Sequence, residues 1–446
     1  MIDGGGSPTA VSAAERRRGS VADYLDPERA PEAPPSRAAM SAATRELHDA
    51  IDRNAPWLHP ERRTIQRDLG DSREVVAWQE AKAAFVLRGD AAWSELPHLY
   101  ARYGTPGTAA LIAALRALEV ARCAIVTDSG MQAVALVADV LLQPGTHAIA
   151  MRQVYNKTRA FFEASARRVG ARLTLVDDGD HAALAAALVP ETRLVFAETF
   201  TNPLTRAQDI PALVALVHRV PGAKLVIDST IATPWAMRTP LVTRGVDVVV
   251  GSLTKALGGE DAQLGGYLAT DQPELANQVM DLVAMRGGIL DDERAQRIAG
   301  GLPRAAERHA RRCATAAHVA AFLARHPRVE RVFHPSLPDH PDADVIARDY
   351  LRTGSLLAFR ARELDEPGHR ALADAIVATG VPRFALSFDG LVTKVNHHRT
   401  VSEYFTPPEL VARLGIDRLI RLGIGLEEPD DLIACLNWAL HRAAGR

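Results

Sequence analysis

The sequence predicts an α/β protein with a mostly parallel sheet in a large domain and a smaller α+β domain at the C-terminal end. Between Cys123 and about residue 270, short apolar runs alternate with stretches of helical period. After about residue 300 the pattern changes to a long Ala- and Arg-rich helix, a strand ("GSLLAFRAR"), a helix and a final strand–helix pair. Strands joined by helical crossovers form parallel sheets that are covered on both faces.

The predicted strands of the large domain are short and apolar. They lie at 123–130, 147–151, 172–178, 193–199, 224–230, 247–255 and 264–270. Between them are the helix-like stretches "MQAVALVADVLL", "TRAFFEASARRVG", "HAALAAAL" and "DIPALVALVHRV". This alternation is the pattern of successive βαβ units.

The bulk composition excludes several classes of partner. Of 446 residues, 47% are hydrophobic and 24% are charged, which are ordinary values for a globular protein. The formal net charge of -2 attracts neither nucleic acid nor a membrane surface, and no apolar stretch reaches the length that a bilayer requires. Three widely spaced cysteines fit a reducing compartment without a disulfide or zinc framework. We therefore expect a cytoplasmic protein without a metal site.

Composition and pattern divide the chain into four predicted segments. Residues 1–40 are rich in Ala, Pro, Arg, Ser and Gly, which predicts a disordered arm. Residues 41–99 contain helical fragments with most of the tryptophans, and we expect this segment to pack on a neighbouring subunit. The large domain is expected at 100–300 and the small domain at 301–446.

Polar side chains follow the predicted strands at the point where each strand ends. The carboxyl ends of parallel strands lie at one edge of a sheet, where ligands bind, so these side chains are expected to lie close together. They are Asp128, Ser129, Gly130, Tyr155, Glu198, Asn202, Asp228, Ser252, Thr254 and Lys255. Singly, each has an ordinary explanation as a cap, turn or packing residue. If all ten residues were only caps, turns or packing residues, their common position at strand ends would require several coincidences.

Lys255 stands in "SLTKALGGED", among small residues directly after an apolar strand. It is either a solvated lysine in a turn or a reactive amine in a partly desolvated site, since only the free amine forms an imine with an aldehyde. An aldehyde cofactor with a phosphate and a pyridine ring would need further groups at this edge.

Each of those groups has a candidate. The helix that begins after Ser129 offers free backbone N–H groups to a phosphate, and the hydroxyls of Ser252 and Thr254 add donors. Asp228 would keep a pyridine nitrogen protonated, and Tyr155 would stack on the ring.

Longer runs of sequence resemble the pyridoxal-phosphate enzymes of cysteine and methionine metabolism. This trans-sulfuration group contains cystathionine γ-synthase, cystathionine γ-lyase, methionine γ-lyase and the O-acylhomoserine sulfhydrylases. The runs are "ETFTNP" (198–203), "VIDSTIATP" (226–234) and "GVDVVVGSLTKALGGEDAQLGG" (245–266). Other motifs in family order, such as "YARYGTPGTAALIAALRALE", "DSGMQA", "VYNKT", "SFDGLVTKVNHH" and "LIRLGIGLEEPDDLI", extend the match from about residue 95 to the end. The resemblance implies fold type I and pyridoxal 5'-phosphate as the cofactor.

The resemblance also implies roles for single positions. Lys255 matches the lysine that binds the cofactor's aldehyde as a Schiff base and moves protons, and Asp228 matches the partner of the pyridinium nitrogen. Tyr155 matches a stacking tyrosine that handles the leaving group's proton, and Arg421 matches the arginine that grips the substrate carboxylate. Further matches are Ser129, Gly130, Met131, Ser252 and Thr254 at the phosphate, Tyr100 and Arg102 at the neighbouring subunit's phosphate, Asn202 at the phenolic oxygen, and Ser387 beside the lysine and substrate.

The implied reaction is γ-elimination or γ-replacement on an L-amino acid with a γ leaving group, such as a homoserine ester, cystathionine or a methionine-like compound. The implied assembly is a homotetramer made of two dimers with shared active sites. Two alternatives stay open: a β-lyase or another fold-type-I reaction on a different amino acid, and a non-catalytic homologue.

The chain departs from the family's pattern around the substrate. It has Gly258-Gly259-Glu260-Asp261 where most members have Gly-His-Ser-Asp, and Val392-Thr393 where they have Glu-Ser. The adjacent His397 and His398 are predicted as loop residues rather than metal ligands. Because the cofactor positions are retained, we expect an altered substrate, in specialised metabolism.

Overall fold

The computed structural model describes residues 71–88, 99–258 and 261–443. The helices are α1 (Ser72–Arg88), α2 (Pro106–Glu119), α3 (Gly130–Leu141), α4 (Asn156–Val169), α5 (His181–Ala187), α6 (Ile210–Val217), α7 (Pro273–Arg286), α8 (Asp292–Arg325), α9 (Ala343–Asp349), α10 (Glu366–Ala378), α11 (His398–Val401), α12 (Pro408–Leu414) and α13 (Pro429–Ala443). The strands are β1 (Cys123–Thr127), β2 (His147–Met151), β3 (Arg172–Val176), β4 (Thr192–Glu198), β5 (Lys224–Asp228), β6 (Val248–Ser252), β7 (Gly266–Thr270), β8 (Val329–Phe333), β9 (Leu356–Ala361), β10 (Arg383–Phe384), β11 (Lys394–His397) and β12 (Ile420–Gly423).

The strands β1 to β7 form one sheet in the order β1-β7-β6-β5-β4-β2-β3. β7 is antiparallel to both of its neighbours, and the other pairs are parallel. The predicted α/β class and all the predicted strands of the large domain are therefore confirmed. Among its described residues, the connection from β6 to β7 contains only the five-residue helical turn Leu253–Leu257, and β7 returns in the opposite direction.

Both faces of the large sheet are buried. Ile227 on β5 and Val249 on β6 have no exposed surface, and they share one apolar cluster with Leu136, Phe162 and Leu213 from α3, α4 and α6. Removal of this apolar surface from water is the main force that holds sheet and helices together. Polar side chains therefore reach solvent chiefly at the ends of the strands.

The strands β8 to β12 form the second sheet, in the order β10-β11-β12-β9-β8. Its pairs are antiparallel except for β10 and β11. One face packs through Phe359 and Leu422 against Val319 of α8, Leu372 of α10 and Leu436 of α13. This arrangement agrees with the predicted α+β character of the C-terminal region.

The helix α8 begins earlier than the sequence pattern predicted. The Ala- and Arg-rich stretch begins at Pro303, but Asp291 caps the helix by accepting a hydrogen bond of 2.9 Å from the backbone N–H of Arg294. Pro303 therefore lies inside the helix, although proline has no N–H for the helical ladder. Burial of Ile298 and Leu302 before the proline compensates for this interruption.

The helix α8 spans 34 residues and packs on α2 as well as on β8 of the second sheet. The predicted boundary between residues 300 and 301 falls inside it, and the division into 100–300 and 301–446 stays a prediction. None of the described helices, α8 included, is long and apolar enough to span a bilayer.

The helix α1 is the described part of the predicted helical segment 41–99. The ring centroid of Trp78 lies 5.7 Å from that of Tyr103, and Lys82 forms an ion pair of 3.1 Å with Asp281 on α7. The arm predicted at 1–40, together with residues 41–70 and 89–98, lies outside the described residues. Packing of this segment on a neighbouring subunit stays a prediction.

The buried carboxyl group of Glu119 gives the fold a pH dependence that can be measured. Glu119 ends α2 and accepts a hydrogen bond from the hydroxyl of Tyr267 on β7. Burial raises the pKa of Glu119 from 4.5 to about 7. The folded state therefore binds the proton more tightly than the unfolded chain, and this group lowers the free energy of unfolding by about 3 kcal/mol as the pH rises from about 4.5 to about 7.

We expect Glu119→Gln to be more stable than the wild type at pH 8 and to lose most of that advantage at pH 5. The amide keeps an oxygen for the Tyr267 hydroxyl but does not ionise. Urea unfolding of both proteins at the two pH values measures the difference. An advantage of the same size at pH 5 and pH 8 would contradict the assignment of this pH dependence to Glu119.

Candidate active site

Five polar positions meet at the carboxyl edge of the large sheet. Glu198 and Asp228 end β4 and β5 and are register partners, and Ser252 ends the next strand, β6. Ser129 and Tyr155 precede the first residues of α3 and α4, which follow β1 and β2. Five of the ten positions predicted from the strand ends therefore lie at this edge.

Lys255 lies in a five-residue helical turn, Leu253–Leu257, directly after β6. Its backbone departs from helical values (φ −91°, ψ −136°). The Nζ atom donates a hydrogen bond to the hydroxyl of Ser387 and lies 4.9 Å from the ring centroid of Phe388. Ser387 was predicted beside the lysine, and the structure brings the two together.

The surroundings of Lys255 favour its free amine. Burial lowers the pKa of Lys255 below its ordinary value. The carboxylates of Asp389 and Asp261 raise this pKa, whereas the cations of Arg421 and Lys394 lower it. A lower pKa increases the fraction of the amine that can attack an aldehyde at neutral pH.

The carboxyl groups of Glu198 and Asp228 end neighbouring strands, and burial raises the pKa of both. Burial and the neighbouring Asp228 raise the pKa of Glu198 well above its ordinary value. Burial also raises the pKa of Asp228, but the backbone N–H of Thr230 donates to Asp228 Oδ1 at 2.8 Å and stabilises the ionised form. The pKa of Glu198 is therefore raised more strongly than that of Asp228, which favours the negative charge on Asp228.

The start of α3 approaches the end of β6 closely. A Cβ atom on Gly130 would lie 3.0 Å from Ser252 Cβ, so glycine permits this contact. The Ser129 hydroxyl donates to Asp128 Oδ1 at 2.9 Å, and its oxygen accepts from the Gln132 N–H at 3.3 Å. The remaining N–H groups of the first turn stay available to an anion beside the half-buried Ser252.

Two other predicted phosphate residues have partners inside the chain. The Thr254 hydroxyl donates to the Gly265 carbonyl oxygen at 3.3 Å and accepts from the Gly265 N–H at 3.1 Å. Met131 Sδ lies 3.6 Å from the hydroxyl of Thr158. Thr254 thus fixes the loop before β7, and its role at a phosphate stays a prediction.

Arg421 is a buried cation on β12, facing the edge of the large sheet. Its guanidinium donates to Asn202 Oδ1 and to the Leu386 carbonyl oxygen, both at 3.2 Å. Burial lowers the pKa of Arg421 to about 10, so the group stays charged at neutral pH. Asn202 and Arg421, predicted at cofactor and substrate, are therefore in contact.

Tyr155 is 41% exposed at the start of α4, and its backbone N–H donates to Glu198 Oε1 at 2.6 Å. Burial of its hydroxyl raises the pKa of Tyr155, while Arg421 acts in the opposite direction. The phenol therefore keeps its proton at neutral pH.

Tyr100 and Arg102, also predicted as site residues, contact each other. The guanidinium carbon of Arg102 lies 4.6 Å from the Tyr100 ring centroid and 5.9 Å from that of Tyr103. Within the described part of the chain, no hydrogen bond or ion pair joins Tyr100 or Arg102 to Lys255. Their predicted contact with a neighbouring subunit stays a prediction.

Some residues of the site were missed or misplaced by the sequence pattern. Phe388 lies beside both cations, 5.7 Å from the Arg421 guanidinium; it belongs to the motif "SFDGLVTKVNHH" but had been given no role. His397 ends β11 and His398 begins α11, and both are buried rather than in an exposed loop. Glu198 had been placed at the sheet edge without a role. In the described residues, no cluster of His, Cys, Asp or Glu could hold a metal ion.

Pyridoxal phosphate presents an aldehyde, a phosphate and a pyridine nitrogen to a protein, and the edge of the large sheet offers a partner for each. The Lys255 amine suits the aldehyde, the start of α3 at Gly130 suits the phosphate, and the Asp228 carboxylate suits the nitrogen. The fold and the site thus define a fold-type-I, pyridoxal-phosphate-dependent enzyme.

The chain belongs to the family of Cys/Met metabolism PLP-dependent enzymes, whose model matches residues 73–441. The chain is 31% identical to the L-methionine gamma-lyase of Fusobacterium nucleatum subsp. polymorphum, over 79% of this chain and 88% of that protein. It is 35% identical to the cystathionine gamma-synthase of Mycobacterium tuberculosis (strain ATCC 25618 / H37Rv), over 76% and 86%. Its fold matches a crystal structure of cystathionine gamma synthase from Xanthomonas oryzae pv. oryzae in complex with cystathionine. That match has a TM-score of 0.73 at 30% identity, covering 78% of this chain and 88% of that one.

Proposed function

We propose that the protein catalyses γ-elimination or γ-replacement on an L-amino acid with a leaving group on its γ carbon. The observation that carries this proposal is the placement of the Lys255 amine, which donates a hydrogen bond to Ser387 and lies within electrostatic reach of the Arg421 guanidinium. A substrate carboxylate held by Arg421 would present its Cα to that amine. The relatives named above include both a γ-lyase and a γ-synthase, which supports either outcome of the reaction.

The bound cofactor supplies an electron sink for negative charge that develops on the substrate. Lys255 Nζ would remove the proton from Cα, give it up to the electron sink and, as a free amine again, remove a proton from Cβ, while Ser387 keeps the amine oriented between these positions. The Asp228 carboxylate would pair with the pyridine nitrogen and so strengthen the sink. The two proton removals by Lys255 need the free amine, which burial favours.

Arg421 and Tyr155 act on the two ends of the substrate. The planar guanidinium grips the α-carboxylate with two hydrogen bonds, which lysine imitates poorly. Tyr155, whose raised pKa keeps its hydroxyl protonated, gives that proton to the departing γ substituent. A nucleophile that enters completes γ-replacement; without one, hydrolysis yields a 2-oxo acid and ammonia.

The test is incubation of the purified protein with a homoserine ester, cystathionine and methionine, with and without an added thiol. We expect 2-oxobutyrate in the absence of the thiol, and less 2-oxobutyrate with a new thioether in its presence. Chromatography of the products as hydrazones separates 2-oxobutyrate from pyruvate. Pyruvate as the only oxo acid would assign a β-lyase instead, and a cofactor-loaded protein that releases nothing would contradict the proposal.

The proposed assembly is a homotetramer of two dimers in the cytoplasm. The exposed side chain of Arg102, stacked on Tyr100, supports a contact with the neighbouring subunit. Sedimentation of the purified protein measures the assembly directly.

A further inference from the structure

An ion pair ties the segment after Lys255 to the second sheet. Lys394 Nζ donates a hydrogen bond to Asp261 Oδ2. The Lys394 side chain is only 9% exposed, whereas that of Asp261 is 40% exposed. A lysine buried to this extent requires a partner for its charge. The pair is therefore part of the packed structure and not a chance contact between two surface side chains.

The backbone around the pair leaves room for it. Asp261 has a left-handed backbone (φ +57°), and Gly390 has φ +129°. A Cβ atom on Gly390 would lie 3.3 Å from both Lys394 Nζ and Asp261 Cβ. Only glycine combines this backbone conformation with the space that the ion pair occupies.

Lys394 belongs to the face of the second sheet that also carries Arg421. Lys394 pairs with Gly423, and Asn396 pairs with Arg421, so Lys394, Asn396 and Arg421 lie on one face of β11 and β12. Asn396 Nδ2 donates to the Ala385 carbonyl oxygen at 2.8 Å. One sheet face therefore holds both the segment that follows Lys255 and the segment that leads to Ser387.

We propose that Asp261 and Lys394 are positioning residues for Lys255. The pair holds Asp261, in the segment after the lysine, against the second sheet. The electrostatic effects of its two opposite charges on the lysine nitrogen oppose each other. This inference rests on the proposed function, in which Lys255 supplies the reactive amine.

The charges that face Lys255 come from four segments. Asp261 lies in the loop after the lysine and Asp389 in the loop before β11, and both raise the pKa of Lys255. Arg421 on β12 and Lys394 on β11 lower it. Neutralising one partner of the ion pair leaves the charge of the other partner uncompensated. The two single variants should therefore shift the pKa of Lys255 in opposite directions.

The test uses Lys394→Met, Asp261→Asn and the double variant. The pH titration of the absorption band of the lysine-bound cofactor follows the lysine nitrogen in the holoenzyme. In the cofactor-free protein, the pH dependence of Lys255 labelling by an amine-reactive reagent, located by peptide mass, follows the free amine. We expect the midpoint pH of both titrations to rise in Lys394→Met and to fall in Asp261→Asn. In the double variant it should return close to the wild-type value.

The positional part of the proposal has its own readout. Each single variant and the double variant should lose roughly tenfold in kcat/KM, because a reacting group displaced by about 1 Å can cost up to ~100-fold. A purely structural role would lower the yield of folded protein without shifts of opposite sign. Lys224→Met is the matched control, because Lys224 is half-buried, pairs with Asp247 at 3.3 Å and begins β5 at the end opposite Asp228.

Shifts of the same sign in the two single variants, or wild-type midpoints in both, would overturn the inference. A midpoint shift of the same size in Lys224→Met would also overturn it. If the holoenzyme releases no product from any γ-substituted amino acid, the proposed reaction fails, but the labelling of Lys255 still decides the role of the ion pair.

Discussion

Replacing Lys255 with alanine is expected to abolish the absorption band of the lysine-bound cofactor and to lower kcat by roughly 10⁴-fold or more. The variant loses both the amine that binds the aldehyde and the base that moves protons between substrate carbons. Its hydrogen bond to Ser387 is also lost, but this is a single side-chain contact outside the apolar core, so the fold should persist. Absorption spectra and steady-state rates with the preferred γ-substituted amino acid measure the two effects.

The matched control is Lys224→Ala, which removes a half-buried lysine from the other end of the large sheet. It should keep both the absorption band and the rate. Circular dichroism of each variant separates loss of the amine from loss of folding. A folded Lys255→Ala protein with an undiminished band would place the covalent attachment of the cofactor elsewhere.

Replacing Arg421 with methionine is expected to lower kcat/KM by roughly 100-fold, mostly through KM, because two charge-assisted hydrogen bonds to the substrate carboxylate are lost. Arg421→Lys should lie between methionine and the wild type, since it keeps the charge but not the fork of donors. Steady-state kinetics of the three proteins give the order.

A substrate analogue without the carboxylate supplies the control for Arg421. The wild type should discriminate strongly against the corresponding amine, and Arg421→Met should not. Arg421 also holds Asn202 and the Leu386 carbonyl group, so a general disturbance of the site would slow both compounds equally. Discrimination that survives in Arg421→Met would assign the carboxylate to another residue.

The residues at the sheet edge could be predicted because the sequence signal for the end of each strand is local. A polar residue after an apolar run marks a strand end, and in a parallel sheet all such ends lie together. Glu198 and Asp228 follow this rule, and they are paired residues at the ends of β4 and β5. The family resemblance extended it to Ser387 and Arg421, which the structure places beside Lys255 and Asn202.

The rest depended on packing between distant segments. Phe388 beside Lys255, and the ion pair of Asp261 with Lys394, join segments whose separation in sequence carries no periodic signal. The start of α8 before Pro303 was hidden for a related reason, since buried contacts of Ile298 outweigh the local preference against proline. The state of the Glu198 and Asp228 proton likewise depends on burial, which a sequence does not state.

The hydrogen bond between Lys255 and Ser387 spans 132 positions of the chain, and that between Arg421 and Asn202 spans 219. During synthesis, the segment with the reactive lysine leaves the ribosome well before the strand that carries its guanidinium neighbour. A nascent chain that ends near β7 can form much of the large sheet, but its amine lacks both Ser387 and the overlying second sheet. The Lys255 amine can therefore bind the cofactor's aldehyde in a complete site only after about the last hundred residues have been synthesised. The order of translation thus delays the onset of activity.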